Sequence, residues 1–132
     1  MLPDRSIEII YERYTSVDNP ERVFTFIETN GTHELKANLI TEVFRAPEKV
    51  KECFGLQAET TLRIATDPER KKDFLEVFIT HKLEDVKAAR LYSQSERVFV
   101  DVMFSTKFLL RFEFYSHEWL KTYYPEFYPN IL

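Results

Sequence analysis

The three histidines have the widest chemical range in this sequence, because imidazole can bind a metal or transfer a proton near neutral pH. A metal site would combine them with carboxylates, since zinc accepts both nitrogen and oxygen ligands. The candidate ligands are His33, His81, His117, Glu28, Glu34 and Glu118. Structural zinc favours close pairs such as HxxxH or CxxC, and the sequence contains neither. We therefore expect no metal site and no cofactor, and we interpret the histidines as surface or partly buried polar residues.

Cys53 is the only cysteine, so no disulfide can form within the chain. With a histidine as base it could serve as a thiol nucleophile. It stands beside Phe54 near the end of a predicted short helix, which is typical of a buried, inert thiol. We expect no catalytic role for it.

Paired carboxylates offer the strongest enzymatic alternative. Asp101 and Glu113 could act as general acid and base, with Arg111 and Arg97 shifting their pKa values. Ion pairs on a solvent-exposed face are commoner than catalytic pairs. We therefore interpret these residues as a salt-bridged surface and expect no catalytic residues.

Composition argues against several ligand classes. The two glycines, Gly31 and Gly55, cannot build a glycine-rich phosphate loop. The net charge of −4 and the lack of a long basic run argue against nucleic-acid binding. The short basic run 70–72 is interpreted as a solvated helix start. No long apolar segment is present, so we expect a cytoplasmic protein with no signal peptide and no membrane partner.

The stretch 96–115 gives the strongest hairpin signal, because apolar residues occupy every second position in two runs. The first run is Val98, Val100, Val102 and Phe104, and the second is Phe108, Leu110, Phe112 and Phe114. A loop at 105–107 would pair the two runs on one buried face. It would also place Asp101 opposite Arg111 on the other face.

The remaining elements follow from turn and capping signals. Asn30-Gly31 predicts a type I′ hairpin turn between strands in 22–40. Ala46-Pro47 opens a short helix to Phe54, and 56–66 alternates as a strand. Asp67-Pro68 predicts the start of a helix over 68–92, with a strand at 74–80 as the rival interpretation. Residues 4–14 fit a helix better than a strand, and Ser116 caps a last helix that Pro125 ends.

These elements predict a single α+β domain over 1–132, in the order α-β-β-(short α)-β-α-β-β-α. The fold would be a mostly antiparallel sheet of about five strands with helices packed on one face. This order is similar to that of small acidic type III secretion chaperones and of YbjN-like proteins. The similarity lies in predicted topology and carries over no motif or site residue.

Aromatic side chains near the C-terminus predict a protein interface, because aromatics bring a large contact area at low entropic cost. The candidate interface residues are Phe99, Met103, Leu109, Tyr115, Tyr124, Phe127 and Tyr128. We therefore expect a non-enzymatic module that binds another protein and acts as a homodimer, in the manner of an adaptor, regulator or secretion chaperone. The alternative is a small enzyme or small-molecule-binding protein with a pocket between helix 68–92 and the sheet.

Overall fold

The computed structural model describes residues 2–30 and 33–123 and has an α+β architecture. The helices are α1 (Asp4–Arg13), α2 (Pro20–Thr29), α3 (His33–Phe54), α4 (Asp85–Ser105) and α5 (His117–Tyr123). The strands are β1 (Ser16–Val17), β2 (Glu59–Asp67), β3 (Lys72–His81) and β4 (Leu110–Ser116). The α+β class is confirmed, whereas the predicted order of elements is wrong.

The sheet has four strands in the order β1-β2-β3-β4. β2 and β3 form an antiparallel hairpin, and both outer pairs, β1–β2 and β3–β4, are parallel. A parallel pair needs a long crossover, which α4 supplies between β3 and β4. The predicted five-stranded, mostly antiparallel sheet is therefore wrong, and with it the topological similarity to secretion chaperones and YbjN-like proteins.

The predicted hairpin at 96–115 is wrong because its first half lies in helix α4. The buried side of α4 carries Ala88, Phe99 and Val102, with Leu91 and Tyr92 partly buried between them. Those positions recur at helical spacing, whereas Val98, assigned to the buried face of the hairpin, is 43% exposed. Only the second half of the stretch, β4, is a strand.

Residues 20–29 form helix α2 where the sequence predicted a strand. Pro20 occupies the first helical turn, and Val23, Phe26 and Ile27 form its buried stripe. The predicted turn partner Gly31 lies outside the described residues. The next helix, α3, runs through the predicted short helix, with Pro47 inside it. Gly55 ends α3 with φ +98° and donates its N–H to Lys51 O at 2.9 Å.

The predicted helix over 68–92 is also wrong. Asp67 Oδ1 accepts the N–H groups of Glu69 and Arg70 at 2.9 and 3.2 Å, but the chain then turns back as β3. Lys71 has φ +55° and closes the turn with an N–H to Asp67 O at 2.7 Å. The rival strand at 74–80 is confirmed, as is the strand predicted over 56–66.

One face of the sheet is buried under the helices. Leu62, Leu75, Val77, Ile79 and Leu110 point to this face, and each is fully buried in a cluster with side chains of α1 to α4. The opposite face carries charged and aromatic side chains, and α5 adjoins its end. None of the described helices combines the length and apolar character needed to cross a bilayer.

Candidate functional site

Four of the seven predicted interface residues lie within the described residues, and they belong to different parts of the fold. Phe99 is 1% exposed in the core, where its ring centroid lies 5.8 Å from Tyr92 and 5.0 Å from Phe112. Phe99 is therefore not on the surface of this chain. Met103, Leu109 and Tyr115 are half-buried, on α4, on the α4–β4 connection and on β4. The other three predicted residues are Tyr124, Phe127 and Tyr128, which lie outside the described residues.

Among the strands that the structure describes, β4 is an edge of the sheet, with a hydrogen-bonded neighbour on one side only. Leu75 N–H donates to Leu109 O at 2.8 Å, and the β3–β4 register runs without interruption from Leu75–Leu110 to His81–Ser116. In a parallel ladder, alternate residues direct both backbone groups to the same neighbour. Residues 109, 111, 113 and 115 therefore face β3. The backbone groups of Phe112 and Phe114 point away from the sheet.

The side chains of β4 divide between two environments. Leu110, Phe112 and Phe114 face the helices, whereas Arg111 and Glu113 lie on the face opposite helices α1 to α4, which we call the open face. The predicted pairing of Arg111 with Asp101 is wrong, since Asp101 lies on α4. Instead, Arg111 Nη1 lies 3.3 Å from Asp67 Oδ2, and its guanidinium stands 4.0 Å from the centre of the Phe74 ring. Glu113 is exposed on the outermost strand.

A buried acid occupies the centre of the open face. Glu76 is 5% exposed and lies in register between Arg63 of β2 and Arg111 of β4. Arg63 Nε donates to Glu76 Oε1 at 2.7 Å. Burial raises the pKa of Glu76, although the charge and hydrogen bond of Arg63 act in the opposite direction. This face therefore carries a ladder of alternating charge across three strands.

Aromatic rings extend the open face toward α5. Arg63 lies 4.3 Å from the centre of the Phe78 ring, and the Phe78 ring lies 5.4 Å from Tyr115. Tyr115 stacks on Trp119 at 4.9 Å, and Trp119 contacts Tyr123 at 5.1 Å. These rings run from the middle of the sheet to the last described turn of the chain, and Tyr123 at their end is exposed.

The predicted helix after residue 116 is confirmed and positions this aromatic row. Ser116 Oγ accepts the N–H of Trp119 at 3.0 Å, so it caps the first turn of α5. The predicted end of the helix at Pro125 lies outside the described residues. Sequence reasoning identified the cap and the helix that follows it, but not the packing of Trp119 on Tyr115.

Two of the three histidines lie near the carboxyl ends of the parallel strands β3 and β4. His81 is paired in register with Ser116 and stacks on Phe54 at 5.2 Å. His117 begins α5; its burial lowers its pKa, and Lys82 lowers it further, while the charge of Glu59 acts in the opposite direction. The side chain of His33 is not among those described.

A cavity of about 260 Å³ lies beside His81, between α4 and the end of the sheet. Its lining residues are His81, Ala88, Ala89, Phe114, Tyr115, Ser116 and Trp119. Open crevices at the carboxyl ends of parallel strands are common ligand sites. The described lining residues include aromatic rings and no carboxylate, so the cavity suits a planar apolar molecule better than a metal ion.

Catalytic and metal chemistry find little geometric support in the described structure. Burial raises the pKa of the Cys53 thiol, against a hydrogen bond from Ser95, and Cys53 Sγ donates to Leu91 O at 3.6 Å. Asp101 and Glu113 lie on a helix and a strand and do not form the predicted acid pair of one sheet. Across residues 2–30 and 33–123, no three His, Cys, Asp or Glu side chains are placed to hold one metal ion.

Comparison with protein-family models, curated proteins and solved structures finds no match to this chain.

Proposed function

We propose that this chain is a non-enzymatic, cytoplasmic protein-binding module that acts as a homodimer, with β4 as the dimer interface. The observation that supports this proposal is the outer edge of β4, with which no described strand pairs, seven residues long and without a break in its register. An unpaired strand edge is a template for pairing with another strand. The buried single cysteine is compatible with a reducing compartment.

Strand β4 is complementary to itself in one antiparallel register. With the two-fold axis at Phe112, Arg111 lies opposite Glu113 of a second copy, and the same pair recurs on the other side of the axis. Leu110 then lies opposite Phe114 of the second copy, so apolar residues meet on the helix-covered face. Each cross-strand pair of opposite charges contributes about 0.2–1 kcal/mol.

The neighbouring register is disfavoured by charge. With the axis at Glu113, that carboxylate would lie opposite its own copy, and like charges directly opposite each other destabilise a strand pair. The direction of the backbone also favours the axis at Phe112, because its N–H and C=O point away from β3. When two copies pair about such a residue, its N–H donates to the C=O of the same residue in the second copy, and its C=O accepts the N–H of that residue.

Pairing through β4 would join the two open faces into one eight-stranded surface. The aromatic row from Phe78 to Tyr123 would then occur twice, once on each half. Aromatic side chains are enriched at protein interfaces. We propose this doubled aromatic surface as the place where a further protein binds.

The test is the molar mass in solution, measured by light scattering and by sedimentation equilibrium. The wild type should have twice the 15.8 kDa mass of one chain. Glu113→Lys should weaken the dimer by about tenfold or more, because it sets two cations opposite each other at both ends of the two-fold pair. Glu48→Lys makes the same charge change at an exposed position of α3 and serves as the control.

A monomeric wild type at millimolar concentration would overturn the proposal. A dimer that tolerates Glu113→Lys as well as Glu48→Lys would exclude β4 as the interface.

Small-molecule binding in the cavity beside His81 is a second candidate function. It is favoured by the position of the cavity between α4 and the sheet, at the ends of two parallel strands. Because Trp119 is the only tryptophan and lines the cavity, an aromatic quencher such as nitrobenzene should reduce its emission in a saturable way. Ala89→Phe would fill the space and abolish saturation, whereas linear quenching in both proteins would reject the site.

A further inference from the structure

A larger cleft lies at the opposite end of the sheet from His81, where β3 and β4 begin. Its volume is about 540 Å³, within the usual range of roughly 300–1,000 Å³ for ligand pockets. Three separate parts of the chain build it: the end of α2, the turn between β2 and β3, and the connection from α4 to β4. We refer to it as the basic cleft.

Cations outnumber acids around the basic cleft. Its charged lining residues are Arg70, Lys72, Lys107, Arg111 and Asp73. The one carboxylate among the described lining residues is already bound, since Asp73 accepts hydrogen bonds from Arg22 Nη2 at 2.9 Å and Thr66 Oγ1 at 2.7 Å. These bonds, led by that from Thr66, hold the pKa of Asp73 below its usual range. Asp73 therefore has little capacity left to neutralise the cleft.

One of the four cations is fixed by the fold. Arg111 contacts Asp67 at 3.3 Å and donates its Nε–H to Phe108 O at 3.0 Å. The other three, Arg70, Lys72 and Lys107, form no side-chain hydrogen bond or ion pair with any part of the chain that the structure describes. In a chain of net charge −4, three uncompensated cations around one concavity favour an anionic ligand.

The connection that carries Lys107 is held in an unusual backbone conformation. Lys107 and Phe108 have φ +51° and +62°, in the left-handed region that non-glycine residues seldom adopt. Their N–H groups donate to Phe104 O at 3.1 Å and to Met103 O at 2.7 Å, which closes the end of α4. The geometry therefore holds Lys107 at the cleft.

Apolar surface completes the cleft. Phe26 is nearly buried, and Phe108 is partly exposed and packs edge-to-face on Phe104 at 5.1 Å between ring centroids. A purely inorganic anion would leave this apolar wall uncovered. The cleft thus offers cations for a charged group and rings for an organic group.

We propose that the basic cleft binds a small organic phosphate. A phosphate monoester carries a charge of about −1.5 to −2 and three strong acceptor oxygens near neutral pH, which suits three or four cations better than a single carboxylate. Arg70, Lys72 and Lys107 bind the phosphate, and the organic group lies against Phe108. The cleft shares Arg111 with the proposed dimer, but Arg70, Lys72 and Lys107 lie outside β4, so the binding test can fail or succeed independently of the dimer test.

The test is calorimetric titration of the full chain with phenyl phosphate, inorganic phosphate and phenol at physiological ionic strength. Phenyl phosphate should bind most tightly, because it alone contacts both the cations and the rings. The double variant Arg70→Ala, Lys107→Ala should weaken its binding by roughly tenfold or more, since charge-assisted hydrogen bonds are lost. Both side chains are exposed, and an unchanged circular dichroism spectrum would show that the fold is retained.

The control is Lys87→Ala, Arg90→Ala, which removes the same two residue types from exposed positions near the start of α4. These positions lie roughly 25–30 Å from Lys107 along the helix, at 1.5 Å per residue. The control should bind phenyl phosphate within about twofold of the wild type.

The assignment would be overturned by no binding of phenyl phosphate, by equal loss of affinity in the control and the double variant, or by equal affinity for inorganic and phenyl phosphate. Tighter binding of a short single-stranded oligonucleotide than of phenyl phosphate would also reject a small-molecule ligand.

Discussion

Replacing Phe99 by alanine tests the helical assignment of 85–105, on which both the β4 edge and the basic cleft depend. The ring is 1% exposed and contacts the rings of Phe54, Tyr92 and Phe112. Truncating a buried phenylalanine typically costs 3–5 kcal/mol, through lost burial and the cavity left behind. We expect Phe99→Ala to lower the free energy of unfolding by about 4 kcal/mol.

That loss corresponds to a large shift in melting temperature. At about 2.1 cal/mol/K per residue, unfolding of 132 residues carries an entropy of about 0.28 kcal/mol/K. A loss of about 4 kcal/mol therefore lowers Tm by about 14 °C. Differential scanning calorimetry and urea unfolding monitored by circular dichroism would measure the two quantities independently.

A matched pair of valines makes the result decisive. Val98 and Val102 shared the buried face in the predicted hairpin, but in α4 Val102 is buried and Val98 is 43% exposed. Val102→Ala should cost about 1–2 kcal/mol, and Val98→Ala less than about 0.5 kcal/mol. Equal costs at the two valines, with little cost at Phe99, would refute the helix and restore the hairpin.

Three further outcomes follow from single residues. Burial raises the pKa of Glu76, so the stabilisation from its protonated form is present below the ordinary value of about 4.3 and is lost as the pH rises through the higher folded-state pKa. Glu76→Gln should remove this part of the pH dependence of urea unfolding, and identical profiles for the two proteins would contradict the argument. Lys107→Gly should raise the free energy of unfolding by about 1 kcal/mol, because glycine adopts φ +51° without a steric penalty, whereas Lys107→Ala should give no gain. Both Lys107 variants should weaken the binding of phenyl phosphate. Because burial raises the pKa of Cys53, a thiol reagent should label the native chain at least about a hundredfold more slowly than the urea-unfolded chain, and comparable rates would show that the thiol is accessible.

The sequence predicted an element correctly where its local pattern was compatible with only one type of secondary structure. Residues 4–13 carry one helical stripe, residues 59–67 alternate as a strand, and Ser116 caps the helix that follows it. Each of these assignments depends on neighbours within one or two turns of chain. The α+β class followed from such elements, even though their order did not.

The two predicted hairpins were wrong because a short apolar run fits both the two-residue period of a strand and the 3.6-residue period of a helix. Val98, Val100 and Val102 alternate like a strand, while Phe99 and Val102 continue a helical stripe that begins at Ala88. The segment that begins at residue 96 shows only the alternation of a strand, whereas the longer segment that begins at residue 85 shows the helical stripe. Tertiary packing of that longer stripe against α3 and the sheet decides the outcome.

The predicted helix at 68–92 failed for a different reason. An Asx side chain that accepts two backbone N–H groups starts a helix and a tight turn alike. At Asp67 those bonds form with Glu69 and Arg70, but Lys71 then takes a positive φ and the chain reverses. The basic run 70–72 thus lies at the turn and the first residue of β3, beside the α4–β4 connection. No local pattern could reveal the basic cleft, because it joins residues from 26 to 111.

The topology of the sheet also predicts the order in which its strands form during folding. The hairpin of β2 and β3 closes over the short turn 68–71. The other two pairings are distant in sequence: Ser16 pairs with Thr61 across 45 residues, and Leu75 pairs with Leu110 across helix α4. Distant pairings lose more chain entropy before any contact compensates for it. We expect the outer strands to dock last and their amide hydrogens to exchange fastest within the sheet. In that case β4, the edge proposed to bind a second copy, completes the monomer late, and folding and dimer assembly become coupled at the same strand.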